Sequence, residues 1–180
     1  MDSTLFLALA LNCAPQVDAG TAQALVAVES GFNPYAIGVV GGALTRQPRA
    51  RTEGIATARA LQAEGWNFSV GLAQINVRNF DSLGLTVEQA FDPCASLTAM
   101  QTVLAGCYDR ATALGASPGI PQASLRQALS CYYSGNFVTG FEHGYVRRVA
   151  LAARPLRPPQ ASSLSSSPSL SPSVIAKEAP

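Results

Sequence analysis

Residues 24–34 read Ala24-Leu25-Val26-Ala27-Val28-Glu29-Ser30-Gly31-Phe32-Asn33-Pro34. Leu25, Val28 and Phe32 recur at helical spacing, which predicts a helix with an apolar face. Upstream, Asp18, Gly20 and Thr21 offer cap chemistry, with Thr21 the expected N-cap. Gly31 and Asn33-Pro34 stop the helix. Glu29 therefore falls in its last turn, where the helix dipole presents its negative end. Apolar surroundings and that dipole both disfavour a carboxylate, so the pKa of Glu29 is expected to rise. A carboxyl held neutral near pH 7 can donate a proton, as acid catalysis requires.

Working outward, the chain is mainly α. The apolar run Leu5 to Leu11 is expected to pack as a first core helix. It is far short of the roughly 20 residues a membrane-spanning helix needs. It is also a poor export signal, since Asp2 precedes it and no Lys or Arg does. Gly38-Val39-Val40-Gly41-Gly42 reads as a flexible loop. Thr52-Glu53 starts a helix with Ile55, Ala58, Ala60 and Leu61 on one face, ending at Gly65. Gly71-Leu72-Ala73-Gln74-Ile75-Asn76, apolar with interspersed amides, reads as a short helix or turn lining a cleft. Thr86 and Gln89 have capping-box spacing. Asp92-Pro93 opens a long helix carrying Leu97, Met100, Val103, Leu104 and Cys107. After a loop from Gly115 to Pro121, Ser124 is expected to cap a helix through Leu125, Ala128, Leu129 and Tyr132, broken at Ser134-Gly135-Asn136. A last helix is expected near Tyr145 to Ala153. No strand-like alternation of any length and no internal repeat is evident. From Arg154 the chain turns to Ser/Pro low complexity, expected to be a disordered tail because it cannot bury enough apolar surface to order itself. The domain is thus placed at 1–153 and the tail at 154–180.

The formal net charge of +1 gives no general attraction for nucleic acid, and there is no basic stripe. Charged residues make up 13% of the chain against 48% apolar, a globular composition with a core. Cys13, Cys94, Cys107 and Cys131 form an even set that suits two disulfides in an oxidising compartment; four cysteines allow three pairings. With one histidine, His143, and no Cys-x-x-Cys, a zinc site is not expected, and neither metal nor cofactor is implied. His143 reads as a surface residue. A Cys131–His143 nucleophilic pair has no oxyanion loop to serve it, and disulfide formation would consume the thiol.

Three separated pieces then stand out: Val28-Glu29-Ser30-Gly31-Phe32-Asn33-Pro34, Gly71-Leu72-Ala73-Gln74-Ile75-Asn76, and Cys131-Tyr132-Tyr133-Ser134-Gly135-Asn136. In this order they resemble the lysozyme-like (SLT) catalytic domain of soluble lytic transglycosylases, whose pattern is Glu-Ser followed by Asn-Pro, a Gly-Leu-Met-Gln stretch and a Tyr-Asn-Ala-Gly stretch. Phe91-Asp92-Pro93-Cys94, Ser130-Cys131-Tyr132-Tyr133-Ser134-Gly135-Asn136-Phe137 and the long stretch between Asn33-Pro34 and Gly71 resemble the subgroup associated with type IV secretion and conjugation. The resemblance covers roughly residues 11–152. It implies a mainly α, lysozyme-like fold and Glu29 as the catalytic acid. Ser30 would orient that acid or a sugar N-acetyl group. Gln74 and Asn76 would hydrogen-bond the glycan, and Tyr132 would be the tyrosine that reaches the catalytic carboxyl. The chain departs from the family at Ala73, where Met is usual, and at Tyr133, where Asn is usual. By analogy with exported relatives, the resemblance pairs Cys13 with Cys94 and Cys107 with Cys131.

Glycosidases commonly use two carboxylates. Here Asp81, Glu88 and Asp92 read as surface or cap residues, Glu53 and Glu64 lie in the long intervening stretch, and Glu142 is the one alternative second acid. A single carboxyl suffices if the substrate supplies its own nucleophile, which is the chemistry the resemblance implies. Glu29 would protonate the oxygen linking N-acetylmuramic acid to N-acetylglucosamine, and the muramic C6 hydroxyl would close a 1,6-anhydro ring. The implied substrate is the peptidoglycan glycan strand, the compartment the periplasm, and the implied partners are type IV secretion components. A muramidase using water and a non-catalytic peptidoglycan-binding assembly factor are the alternatives.

Overall fold

A computed structural model describes residues 3–115 and 121–153. The expected disordered tail and most of the Gly115–Pro121 loop lie outside the described residues. Among the described residues the chain is mainly helical, with one small sheet and connecting turns and loops. Helix α1 (Ser3–Cys13) buries Phe6 and Ala10 and leaves Leu5, Leu7 and Leu11 exposed, so the first apolar run is only half a core helix. Helix α2 (Ala19–Glu29) buries Ala22, Ala24, Leu25 and Val26. Its N-cap is Asp18, not Thr21: the Asp18 carboxylate accepts the Thr21 backbone N–H at 2.9 Å. The aspartate wins because it lies three residues before that orphan amide, the reach a capping side chain needs. Glu29 is the last residue of α2, and Gly31 and Phe32 follow with φ of +57° and +63°. Phe6 packs edge-on against Phe32 at 5.2 Å and so helps hold that turn.

The segment Gly38 to Gly42 is not simply a loop. Strand β1 (Ile37–Val39) pairs antiparallel with β2 (Phe68–Val70), which pairs with β3 (Ile75–Asn76). Strands of two or three residues are too short to show a period-two pattern in sequence. Between β1 and β2, α3 (Arg51–Ala63) buries Gly54 and Ala58 while Ala60 is exposed, which narrows the expected apolar face. Gly54 sits closely against the Phe91 ring: a Cβ there would lie 3.0 Å from a ring carbon, so the ring would have to give by a few tenths of an ångström.

After β3 come a 3-10 turn (Val77–Asn79), α4 (Phe80–Leu83) and α5 (Val87–Ala90), the last opened by the expected Thr86–Gln89 capping box. Helix α6 (Pro93–Ala113) starts at the Asp92 N-cap and runs through the core, burying Leu97, Met100, Leu104 and Cys107. It packs on α7 (Pro121–Ser134). Ser124 lies inside α7 and is buried, so it is not the cap; the helix starts three residues earlier, at Pro121. Pro is favoured in a first helical turn, where its missing N–H leaves nothing unsatisfied. Helices α8 (Thr139–Glu142) and α9 (Tyr145–Ala152) close the body, with α9 lying on α2.

Both disulfides implied by the resemblance are formed. Cys13–Cys94 ties the end of α1 to the start of α6, and Cys107–Cys131 ties α6 to α7, with Cα separations of 5.3 and 5.8 Å. Cys131 is thereby unavailable as a nucleophile. Among the described residues no helix is long and apolar enough to cross a membrane.

Candidate active site

The sheet and the α6–α7 pair face each other across an open cleft of about 1100 Å³. Glu29 enters it from the end of α2, Gln74 and Asn76 from the sheet side, and Tyr132 and Tyr133 from the end of α7. The three sequence pieces are thus brought to one place.

Glu29 is the only acidic residue lining the cleft among the described residues. Desolvation raises its pKa from 4.5 to about 7, against the opposing pull of a hydrogen bond from Tyr145 and the nearby charge of Arg148. The Tyr145 hydroxyl donates to Glu29 Oε1, leaving Oε2 to carry the proton of the neutral acid. Tyr145 is itself buried, and burial followed by the adjacent Glu29 pushes its phenol pKa far up, so it stays a donor. Arg148 sits over the Tyr145 ring at 5.8 Å and donates to the His143 carbonyl at 3.0 Å.

The expected tyrosine contact is therefore made by a different residue. Tyr132 donates instead to the Ala73 carbonyl at 2.7 Å, and burial, with Glu29 nearby, raises its pKa well above the usual value. Sequence reading missed Tyr145 and Arg148. The only local signal was a tyrosine opening an amphipathic helix; nothing in spacing ties it to a glutamate 116 residues away.

The segment 71–74 is fastened from all sides. The Ser30 hydroxyl donates to the Leu72 carbonyl at 2.6 Å, so Ser30 positions the cleft wall rather than Glu29 itself. The buried Ser96 hydroxyl accepts the Ala73 N–H at 3.1 Å. Gly71 has a φ of +79°, and a Cβ there would lie 2.2 Å from the Ala90 carbonyl oxygen, so only glycine fits. Gln74 adopts a φ of +51°, uncommon for a residue with a side chain. Its amide donates to the Ala36 and Gly71 carbonyls, both at 3.0 Å, which holds that conformation and leaves Oε1 as the group facing Gly38. Asn76 caps the 3-10 turn through the Arg78 N–H at 3.0 Å and donates to Ser69 Oγ at 3.3 Å, so its amide is partly spent on structure. Asn136, at the end of the third piece, accepts the Val138 and Thr139 N–H groups on Oδ1, each at 2.9 Å, and so holds the turn leading into α8.

The other carboxylates stand elsewhere. Asp18 and Asp92 are caps, and Glu53 pairs with Arg46 and Glu88 with Arg59. Glu64 accepts from the Trp66 indole at 3.0 Å. Asp81 and Glu142 are exposed and do not line the cleft. His143 is exposed, as expected of a surface histidine, but it stands on the cleft edge beside Tyr133.

Residues 6–150 match the family model described as the transglycosylase SLT domain. The chain is 52% identical over 153 residues to the type IV secretion system protein virB1 of Brucella abortus (strain 2308), covering 82% of this chain and 63% of that one. It is 41% identical over 152 residues to protein virB1 of Agrobacterium fabrum, covering 83% and 60%. Against protein virB1 of Rhizobium radiobacter the identity is 39% over 158 residues, covering 88% and 64%. The chain therefore spans less than two thirds of the length of these relatives. No solved structure gives a significant match. A family match across the helical body and the cleft, on a mainly α architecture, accounts for both the order of the three pieces and their convergence on Glu29: the chain belongs to the transglycosylase SLT domain family, with its lysozyme-like fold.

Proposed function

We propose that the protein is a peptidoglycan lytic transglycosylase in which Glu29 alone serves as acid and then base. The observation that carries this reading is the solitary carboxyl of the cleft, held near neutrality by burial. Two-carboxylate hydrolysis needs a second acid within roughly 5–9.5 Å of the first, and the cleft lining offers none among the described residues. A single carboxyl is enough when the nucleophile belongs to the substrate.

With a pKa of about 7, Glu29 carries its proton in a large fraction of molecules at neutral pH. The proton passes to the glycosidic oxygen between N-acetylmuramic acid and N-acetylglucosamine as the bond from the muramic C1 to that oxygen breaks. The muramic N-acetyl oxygen stabilises the positive charge at C1. Glu29, now a carboxylate held by Tyr145 and facing Arg148, takes the proton of the C6 hydroxyl as O6 bonds to C1. The acid is regenerated, no water is consumed, and the product ends in 1,6-anhydro-N-acetylmuramic acid. An intramolecular nucleophile supplies a very high effective concentration. Gln74 Oε1 and the polar edge of Asn76 face the glycan, Ser30 and Tyr132 hold segment 71–74 in place, and residues 1–153 form the catalytic unit.

The periplasm is the compartment that fits both the substrate and two formed disulfides. Similarity to proteins named for type IV secretion supports a role in opening the wall locally for such an apparatus. The test is digestion of purified peptidoglycan by wild type and Glu29→Gln, followed by mass spectrometry of the muropeptides. Anhydro ends from wild type alone are expected. Reducing ends would replace this mechanism with hydrolysis. Binding to the wall without any product would favour a non-catalytic assembly factor.

A further inference from the structure

Tyr133 has no evident reason to face solvent. It lies at the end of α7 next to Tyr132, which turns its hydroxyl inward onto the Ala73 carbonyl. Tyr133 keeps 41% of its surface exposed and lines the cleft with Glu29. It is nonetheless held in one orientation from two sides. Its ring stacks on Tyr145 at 4.5 Å with 19° between the planes. Its hydroxyl oxygen and His143 Nδ1 are 3.2 Å apart, and the imidazole stands edge-to-face to the ring at 5.9 Å. An exposed aromatic that is fixed in advance, beside an acid, has lost its ordering entropy before a ligand arrives, which is how binding walls gain affinity. A pyranose presents an apolar face of C–H groups that packs against such a ring, while its hydroxyls reach the polar groups of the opposite wall.

We propose that Tyr133, braced by His143, is a sugar-stacking wall of the cleft that packs against the apolar face of a hexosamine ring bound beside Glu29. This rests on the glycan-cleaving reading above and goes further, naming the residues that hold the ring rather than those that cleave it. Tyr133 determines how tightly the strand is held. It also covers Tyr145, whose hydroxyl contacts the acid, so a purely structural role for Tyr133 makes a different forecast: a change in turnover and pH profile without a change in binding.

The experiment measures binding of a tetramer of β-1,4-linked N-acetylglucosamine by calorimetry in the Glu29→Gln protein, where no cleavage occurs, and in the same protein carrying Tyr133→Ala, Tyr133→Phe or His143→Ala. Thermal melts confirm that each variant is folded. Removing the ring is expected to weaken binding roughly three- to tenfold, the range for an aromatic stacking contact. Tyr133→Phe keeps the ring and is expected to stay within about twofold of the parent, and His143→Ala to fall between the two. In the cleaving enzyme, Tyr133→Ala is expected to raise KM by a similar factor with the same products. Equal binding by the parent and Tyr133→Ala overturns the proposal, as does a fall in kcat with KM unchanged. Failure of the parent to bind the tetramer while wild type still digests peptidoglycan also overturns it. If wild type releases no muropeptides yet Tyr133→Ala still weakens tetramer binding, the cleavage reading fails and the stacking wall stands.

Discussion

Replacing Glu29 with Gln removes an ionisable group that the fold holds in the wrong state at neutral pH, so the variant should be more stable than wild type above pH 7. The folded-state pKa is about 7 against a reference of 4.5. Below pH 4.5 both folded and unfolded chains hold the proton and the group contributes no penalty. Between 4.5 and 7 the unfolded chain releases its proton first, so stability falls as pH rises. Above 7 the loss is complete. That interval corresponds to about 3 kcal/mol. Glutamine keeps the shape and the acceptor for Tyr145 without the charge, so its advantage should grow from near zero at pH 4 to about 3 kcal/mol at pH 8.5. For a domain of this size that is an increase in Tm of roughly 6–12 °C. The assay is thermal and urea unfolding of the oxidised proteins, followed by circular dichroism at both pH values. An advantage of the same size at both would refute the reasoning, because it would mean that Glu29 titrates alike in the folded and unfolded chains.

With Glu29 as the acid proposed above, the same pKa predicts that kcat/KM for wall cleavage falls as pH rises through about 7; a profile flat from pH 5 to 9 would count against it. Tyr145→Phe removes the donor to Glu29 Oε1. Its limb should move to higher pH, and kcat should drop by roughly 10- to 100-fold, the worth of a hydrogen bond to a developing charge; steady-state kinetics across pH reads both. Gly71→Ala forces a Cβ to within 2.2 Å of the Ala90 carbonyl at a positive φ, so urea unfolding should show a loss of about 3 kcal/mol or more, with activity lost in parallel. Replacing Cys13 and Cys94 together by Ser opens a closure of 81 residues, and equilibrium unfolding should show a cost of about 2–5 kcal/mol.

Reading from sequence succeeded where the signal was local. The long α6, the capping box at Thr86 and Gln89, and the end of α2 at Glu29 all follow from spacing and stop residues within a few positions. It failed where competing local choices were close in energy or the pattern was too short. Thr21 and Asp18 are both capping residues, and only the position of the first free amide decides between them. Ser124 carries cap chemistry but lies within a helix that begins at Pro121. The strands around Gly38 and Val70 have no period to detect, because their partners, not their own residues, make them strands.

By itself the sequence determined that this is a mainly α domain with an acid at a helix end, because helical periodicity, caps and apolar flanks act over a few residues. It also carried the three pieces in order, and through them the family. Only the tertiary structure decided which tyrosine serves the acid. Tyr145 reaches Glu29 because α9 packs on α2, while Tyr132, in the third piece, is drawn to the Ala73 carbonyl. The tertiary structure likewise decided that Ser30 holds the opposite cleft wall and that Gln74 keeps a left-handed backbone. Those outcomes depend on contacts between residues that are tens of positions apart, and the desolvation that raises the Glu29 pKa arises only when those distant elements close around it.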